Sequence, residues 1–84
     1  MDEHHGVAAI QFELPAAAEV TIEILDPQGR LVRSLLNGSE YDPGYWSIAW
    51  DRTDGSGRKL APGIYLYRMK AGQFRDQRKM LLLP

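Results

Sequence analysis

The hydrophobic pattern along the chain is that of strands. Ile10-Gln11-Phe12-Glu13-Leu14 alternates apolar and polar residues, the two-residue period of a half-buried strand, and Pro15 ends it. Ala16-Ala17-Ala18 follows the proline and is too short to sustain a helix, so it reads as a connection. Glu19 to Ile24 alternates again, with β-branched Val20, Ile22 and Ile24 directed inward. Asp26-Pro27-Gln28-Gly29 predicts a turn, because proline presets φ at its second position and glycine permits the exit. Arg30 to Leu36 predicts a third strand, but Leu31, Val32, Leu35 and Leu36 do not hold one phase, which points to a bulge or an amphipathic turn. Asn37-Gly38 and Asp42-Pro43-Gly44 bracket a connection of about eight residues. Tyr45 to Trp50 restores alternation, with Trp46, Ile48 and Trp50 on one face.

Asp51 to Pro62, punctuated by glycine and proline and rich in charge, reads as a surface loop. Ile64 to Ala71 predicts a strand with Arg68 and Lys70 toward water and Tyr65, Tyr67 and Met69 inward. Ala71-Gly72 predicts a tight hairpin turn into a final strand, Gln73 to Leu83. Its phase breaks between Phe74 and the Met80-Leu83 run, which predicts a bulge or a segment covered on both faces. No helical stripe of useful length is present. Six or seven short strands at this spacing predict an antiparallel β-sandwich or a small barrel. Gly63-x-Tyr65 at the start of a late strand is similar to the tyrosine corner of immunoglobulin-like sandwiches.

At 84 residues the chain is one domain, burying roughly 60–65% of its unfolded surface. It has no cysteine, which excludes disulfides, thiolate metal sites and a cysteine nucleophile. Met1-Asp2-Glu3-His4-His5-Gly6 lacks the features of a signal peptide, and no apolar run is long enough for a membrane helix. On these grounds alone the protein is either cytosolic or a piece of a larger chain.

The net charge of −1 conceals a split. Residues 1–51 carry nine acids against two bases, or −7, and residues 52–84 carry eight bases against two acids, or +6. The basic half is interleaved with core positions, so the expectation is acidic early strands pairing with basic late ones across a sheet.

These residues carry a resemblance. The succession Phe12-x-Leu14-Pro15, Val20-Thr21-Ile22-x-Ile24, Asp26-x-x-Gly29-Arg30-Leu31-Val32-Arg33, Trp50-Asp51, Gly57-x-x-Leu60-Ala61-x-Gly63-x-Tyr65-x-Tyr67-Arg68, Ala71-Gly72 and Arg78-Lys79-Met80 resembles the immunoglobulin-like domain of flagellar hook-capping proteins. It is also similar to the C-terminal domains that direct bacterial proteins through the type IX secretion system. The likeness runs from about residue 8 to residue 83. It implies an all-β, immunoglobulin-like antiparallel sandwich of about seven strands over residues 7–84, preceded by a disordered or tag-like lead-in over residues 1–6. It also implies no catalytic activity. The sequence departs from the family in lacking an Asn-Pro-rich lead-in and in having Trp50-Asp51-Arg52 where Trp-Asp-Gly is usual.

Candidate chemistry is thin. Asp51 and Asp54 near Gly55 and Gly57 suggest a calcium loop, but the spacing of an EF-hand and its closing glutamate are missing, and turn-forming carboxylates explain them better. His4 and His5 point opposite ways on an extended chain and have no third histidine. Ser34, Ser39, Ser47 and Ser56 lack a histidine base. Glu13, Glu19 and Glu23 read as outward strand positions rather than paired catalytic carboxylates, and the glycines form no phosphate-binding loop. Trp46, Trp50, Tyr41, Tyr45, Tyr65 and Tyr67 could stack on sugars, but the tryptophans are in phase with Ile48 and read as core. Tyr41 and Tyr45 are the better candidates for exposure. Arg75, Arg78 and Lys79 beside Phe74 could touch an acidic partner, while no nucleic-acid motif is present.

The reading these observations and the resemblance support is a non-catalytic C-terminal accessory domain of an exported bacterial protein. It would act as a sorting or surface-attachment signal, be located outside the cell or on its surface, and be exported through the periplasm. By resemblance, Arg78, Lys79 and Met80 with the apolar end of the chain would be read by secretion or attachment machinery, an exposed final strand being captured by edge pairing. A covalently linked upstream cargo domain is the other expected partner, and self-association by edge-strand pairing a further one. No cofactor, metal, nucleic acid or membrane span is expected. The alternatives are an assembly or spacer module, as in the hook-capping scaffold, and a carbohydrate- or calcium-binding module.

Overall fold

A computed structural model describes residues 8–84; the lead-in over residues 1–6, with His4 and His5, lies outside them. Six strands are formed: β1 (Ala8–Leu14), β2 (Ala18–Leu25), β3 (Leu31–Tyr41), β4 (Gly44–Trp50), β5 (Gly63–Ala71) and β6 (Phe74–Leu82). They make two antiparallel sheets, one of β1 and β4, the other in the order β3-β2-β5-β6. The sandwich is as expected, with six strands among the described residues instead of about seven.

Alternation decides the faces. Ile10, Phe12 and Leu14 of β1 and Trp50 of β4 are buried against Val20, Ile22 and Ile24 of β2 and Met69 and Ala71 of β5. The three β2 side chains are 0% exposed, because β2 is flanked by strands on both sides and covered by the smaller sheet. Burying side chains of this size contributes about 1.5–3 kcal/mol each. Leu25 is also buried but stands outside this cluster. It pairs with Leu66 and lies in the outward phase of β2.

The Asp26 turn forms as expected: Gly29 N–H donates to Asp26 O at 2.8 Å with Gly29 at φ +89°. β3 departs from expectation. Instead of ending before Asn37-Gly38 it continues to Tyr41, and its register against β2 shifts three times, between Val20 and Ile22, Ile22 and Glu23, and Ile24 and Leu25. Each shift inserts extra residues into β3, which is why its leucines keep no phase. Asn37-Gly38 is one of these bulges and not a turn. Gly38 takes φ +71° there, and its N–H donates to Thr21 Oγ1 at 3.1 Å.

The final strand departs in the opposite sense. β6 pairs with β5 without a single shift, from Ala71↔Phe74 to Gly63↔Leu82. The turn between them is Gly72-Gln73, with Gly72 at φ +60°. Phe74, Asp76, Arg78, Met80 and Leu82 therefore share one phase, yet only Leu82 is fully buried. The two-stranded sheet does not cover the Phe74 end of β6. An opening remains there between β1 and the last hairpin, lined by Phe12, Tyr67, Phe74, Asp76 and Arg78 among others. The unshifted pairing through Leu82 excludes a bulge in the Met80-Leu83 run, and the exposure of Leu81 and Leu83 shows that the run is not covered on both faces.

Two contacts tie the ends together. Tyr65 Oη donates to Ala61 O at 2.8 Å, the tyrosine corner suggested by Gly63-x-Tyr65. Arg52 donates to Leu83 O and holds φ +66°, the left-handed region, at the place where the resembling families carry glycine.

Replacing Ile22 by alanine should lower the unfolding free energy by about 2–5 kcal/mol, whereas Ile64→Ala, on the outer face, should cost no more than about 0.5 kcal/mol. Urea unfolding of both variants checks the assignment of faces, and equal costs would contradict it.

Candidate interaction surface

The loop after β4 is fixed by its own polar groups. Trp50 is buried, and its indole N–H donates to Thr53 O at 3.0 Å. Thr53, itself buried, bridges to Lys59. Its hydroxyl donates to Asp51 Oδ1 at 2.6 Å and accepts from Arg33 Nη1 at 2.6 Å. Gly55 N–H donates to Val32 O at 3.0 Å, so the loop also caps the Leu31 end of β3. Asp54 Oδ1 accepts from the N–H groups of Ser56 and Arg58. Asp51 and Asp54 thus do the work of turn residues, and among the described residues no three His, Cys, Asp or Glu side chains converge as a metal site would require.

These hydrogen bonds hold carboxyls below their ordinary range. The Thr53 hydroxyl does so chiefly for Asp51, and the Arg58 N–H for Asp54. Asp26 is lowered in the same way by the Arg30 N–H, which it accepts at 2.9 Å beside a 2.9 Å ion pair with the Arg30 side chain.

The aromatic residues do not form a platform. Trp50 and Trp46 point inward as expected, Trp46 half-buried with its indole N–H on Asp42 O at 2.9 Å. Tyr41, expected at the surface, is half-buried: its ring lies edge-on between Phe12, at 5.6 Å, and Trp46, at 4.9 Å. Tyr45 is 82% exposed. Tyr41 and Trp46 instead line an open cleft of about 580 Å³ together with Glu19, Glu40 and Asp42.

The charge split of the sequence becomes a polarity across the larger sheet. The early strands β3 and β2 form one half and the late strands β5 and β6 the other. At the seam Glu23 faces Arg68, and Arg68 Nη2 meets Glu23 Oε1 at 2.8 Å. This is the expected cross-sheet pairing, but it occurs only there among the described residues. The other ion pairs among the described residues each join two residues from the same half of the sequence: Arg30–Asp26, Arg33–Asp51, Arg58–Asp54 and Arg78–Asp76. Toward the edges like charges stand directly opposite one another, Glu19↔Glu40 and Lys70↔Arg75, an arrangement that costs stability. Sequence reasoning missed both. The bulges of β3 hide the pairing of Glu40, and only the observed register shows it.

Arg78, Lys79 and Met80 do not form one surface. Arg78 faces the inter-sheet opening and its Nε meets Asp76 Oδ2 at 2.8 Å, which raises its pKa. Lys79 projects from the opposite face, and Met80 packs half-buried against the core.

A small sandwich tied by a tyrosine corner, with long unpaired edges and no convergent catalytic groups among the described residues, is an immunoglobulin-like module. The chain belongs to the FlgD Ig-like domain family, which it matches over residues 2–73. Among the solved structures that share the fold are two of FlgD. FlgD from P. aeruginosa superposes with a TM-score of 0.72 at 22% identity, over 98% of this chain and 64% of that one. FlgD from Xanthomonas campestris, described for its part in the hook capping essential for flagellar assembly, superposes with a TM-score of 0.66 at 29% identity, over 92% of this chain and 56% of that one. The chain therefore spans less than two thirds of the length of either relative. No curated protein matches it. These matches correct the expectation of an extracellular or cell-surface domain exported through the periplasm: the matching family is the FlgD Ig-like domain, and the two solved relatives are FlgD, one of them described for hook capping in flagellar assembly.

The lowered aspartates set an acid limit. A carboxyl with a depressed folded pKa stabilises the fold above its unfolded value, near 3.8, and that contribution is lost as pH falls through the folded value. Stability should therefore drop as pH falls below about 4, and the drop should be shallower in Asp51→Asn, which removes one of the three groups. An unchanged slope in urea titrations across that range would contradict the role given to Asp51.

Proposed function

We propose that the chain is a non-catalytic assembly or spacer module of a hook-capping-type flagellar protein, holding neighbouring parts of that protein or its complex through its sheet edges. The observation that carries this is the family membership over residues 2–73. The fold supports it: the polar groups of the Asp51–Pro62 loop are spent on fixing that loop, while β3, β6, β1 and β4 each keep one open edge among the described strands. The greater length of the solved relatives supports further domains as covalently linked neighbours, and the open edges support association with other copies.

In the producing bacterium, in-frame replacement of residues 8–84 by a flexible Gly/Ser linker of equal length should stop hook assembly and abolish motility. Hooks of normal length in that strain would contradict the proposal.

A further inference from the structure

The polarity of the larger sheet is arranged so that one copy matches the next. Glu40 and Glu19 lie opposite each other on its outer face at the β3 edge. Lys70 and Arg75 lie opposite each other on the same face at the β6 edge. The register places them at the same end of the sheet, because Lys70 pairs with Thr21, two residues along β2 from Glu19. Asp42 extends the acidic edge into the cleft walled by Tyr41 and Trp46, and Lys79 extends the basic edge along β6. Among the described residues none of Glu19, Glu40, Asp42, Lys70, Arg75 and Lys79 makes an ion pair.

Each like-charged pair is a cost that the fold does not relieve internally. Each is relieved when the opposite edge of another copy lies beside it. β3 and β6 are the two outermost strands of one four-stranded sheet, so a neighbour set against the β6 edge presents its β3 edge. The contact has unlike surfaces on its two sides, and such a heterologous contact leaves a free acidic edge at one end and a free basic edge at the other, propagating as a ring or a filament. The basic side chains have somewhere to go: the open cleft offers the carboxylates of Glu19, Glu40 and Asp42 beside Tyr41 and Trp46. The bulges of β3 and the loop docked on Val32 break the edge at its Leu31 end, which confines the contact to the free stretch from Asn37 to Tyr41. A continuous backbone ladder is thereby excluded, and side-chain charge provides the specificity.

We infer that the chain associates head to tail with further copies of itself, the basic β5–β6 edge (Lys70, Arg75) of one seated against the acidic β2–β3 edge (Glu19, Glu40) of the next. The inference rests on the assembly-module reading and names the partner of its edges.

Sedimentation of the 84-residue chain over a concentration series, with circular dichroism to confirm folding, tests it. The natural chain should show species larger than monomer at about 0.01 M salt. These should be lost toward about 1 M salt, as the Debye length contracts from about 30 to about 3 Å. K70E/R75E and E19K/E40K should each be monomeric, since each makes both edges the same sign, and their equimolar mixture should associate again. Recovery in the mixture is a gain that misfolding cannot produce. A natural chain monomeric at every concentration, association that survives either double variant, or a mixture that stays monomeric would overturn the inference. Any of these results would leave the assembly-module reading standing if the linker strain still fails to build hooks, because the edges would then serve a different partner.

Discussion

The packing of Val20, Ile22 and Ile24 under the small β1–β4 sheet is the contact on which the rest of the molecule depends. Among the described residues β2 pairs with β3 and β5, and β5 with β2 and β6, which leaves β3 and β6 as the outermost strands of the larger sheet. A two-stranded lid over a four-stranded sheet covers the centre and leaves the margins uncovered. That asymmetry accounts for Asp76 and Arg78 standing in the inner phase of β6 without a buried partner. It also accounts for the exposure of Phe74 at the start of the last strand.

Where the lid ends, hydrogen bonding takes over. Tyr65 fixes the approach to β5 through Ala61. The Asp51–Pro62 crossover is held by the set of Trp50, Asp51, Thr53 and Arg33. Arg52 shows how the loop bears a substitution at a glycine-favouring position. A left-handed backbone costs a non-glycine residue about 1–2 kcal/mol, and the arginine side chain donates to Leu83 O, just past the end of β6.

Much of the fold was legible in the chain because alternation is a local signal. β1, β2, β4 and β5 fall within a residue or two of where Ile10–Leu14, Glu19–Ile24, Tyr45–Trp50 and Ile64–Ala71 predict them. β3 was not, because its three bulges erase the two-residue period, and Asn37-Gly38 uses in a bulge the same permissive backbone that marks a turn elsewhere. β6 was misread for the converse reason: its period is perfect, but the burial that would reveal it depends on a lid that is not there. The interaction surface was the least legible part. The −7 and +6 halves of the sequence are visible by counting, whereas their placement on opposite margins of one sheet follows from strand order and from the pairing of Glu19 with Glu40 and of Lys70 with Arg75. The residues that carry the family likeness do not by themselves separate sorting domains from hook-capping ones, whereas the match over residues 2–73 is to the FlgD Ig-like domain family.

Native-state amide hydrogen exchange on dilute protein at high salt tests the covered centre and open margins most directly. The account predicts the slowest exchange, at the global unfolding limit, in β2 and the β5 residues from Tyr67 to Ala71 that pair with it. The β6 residues from Phe74 to Lys79 and the β3 residues from Asn37 to Tyr41 should exchange much faster through local opening. Protection in those two stretches equal to that of β2 would contradict it.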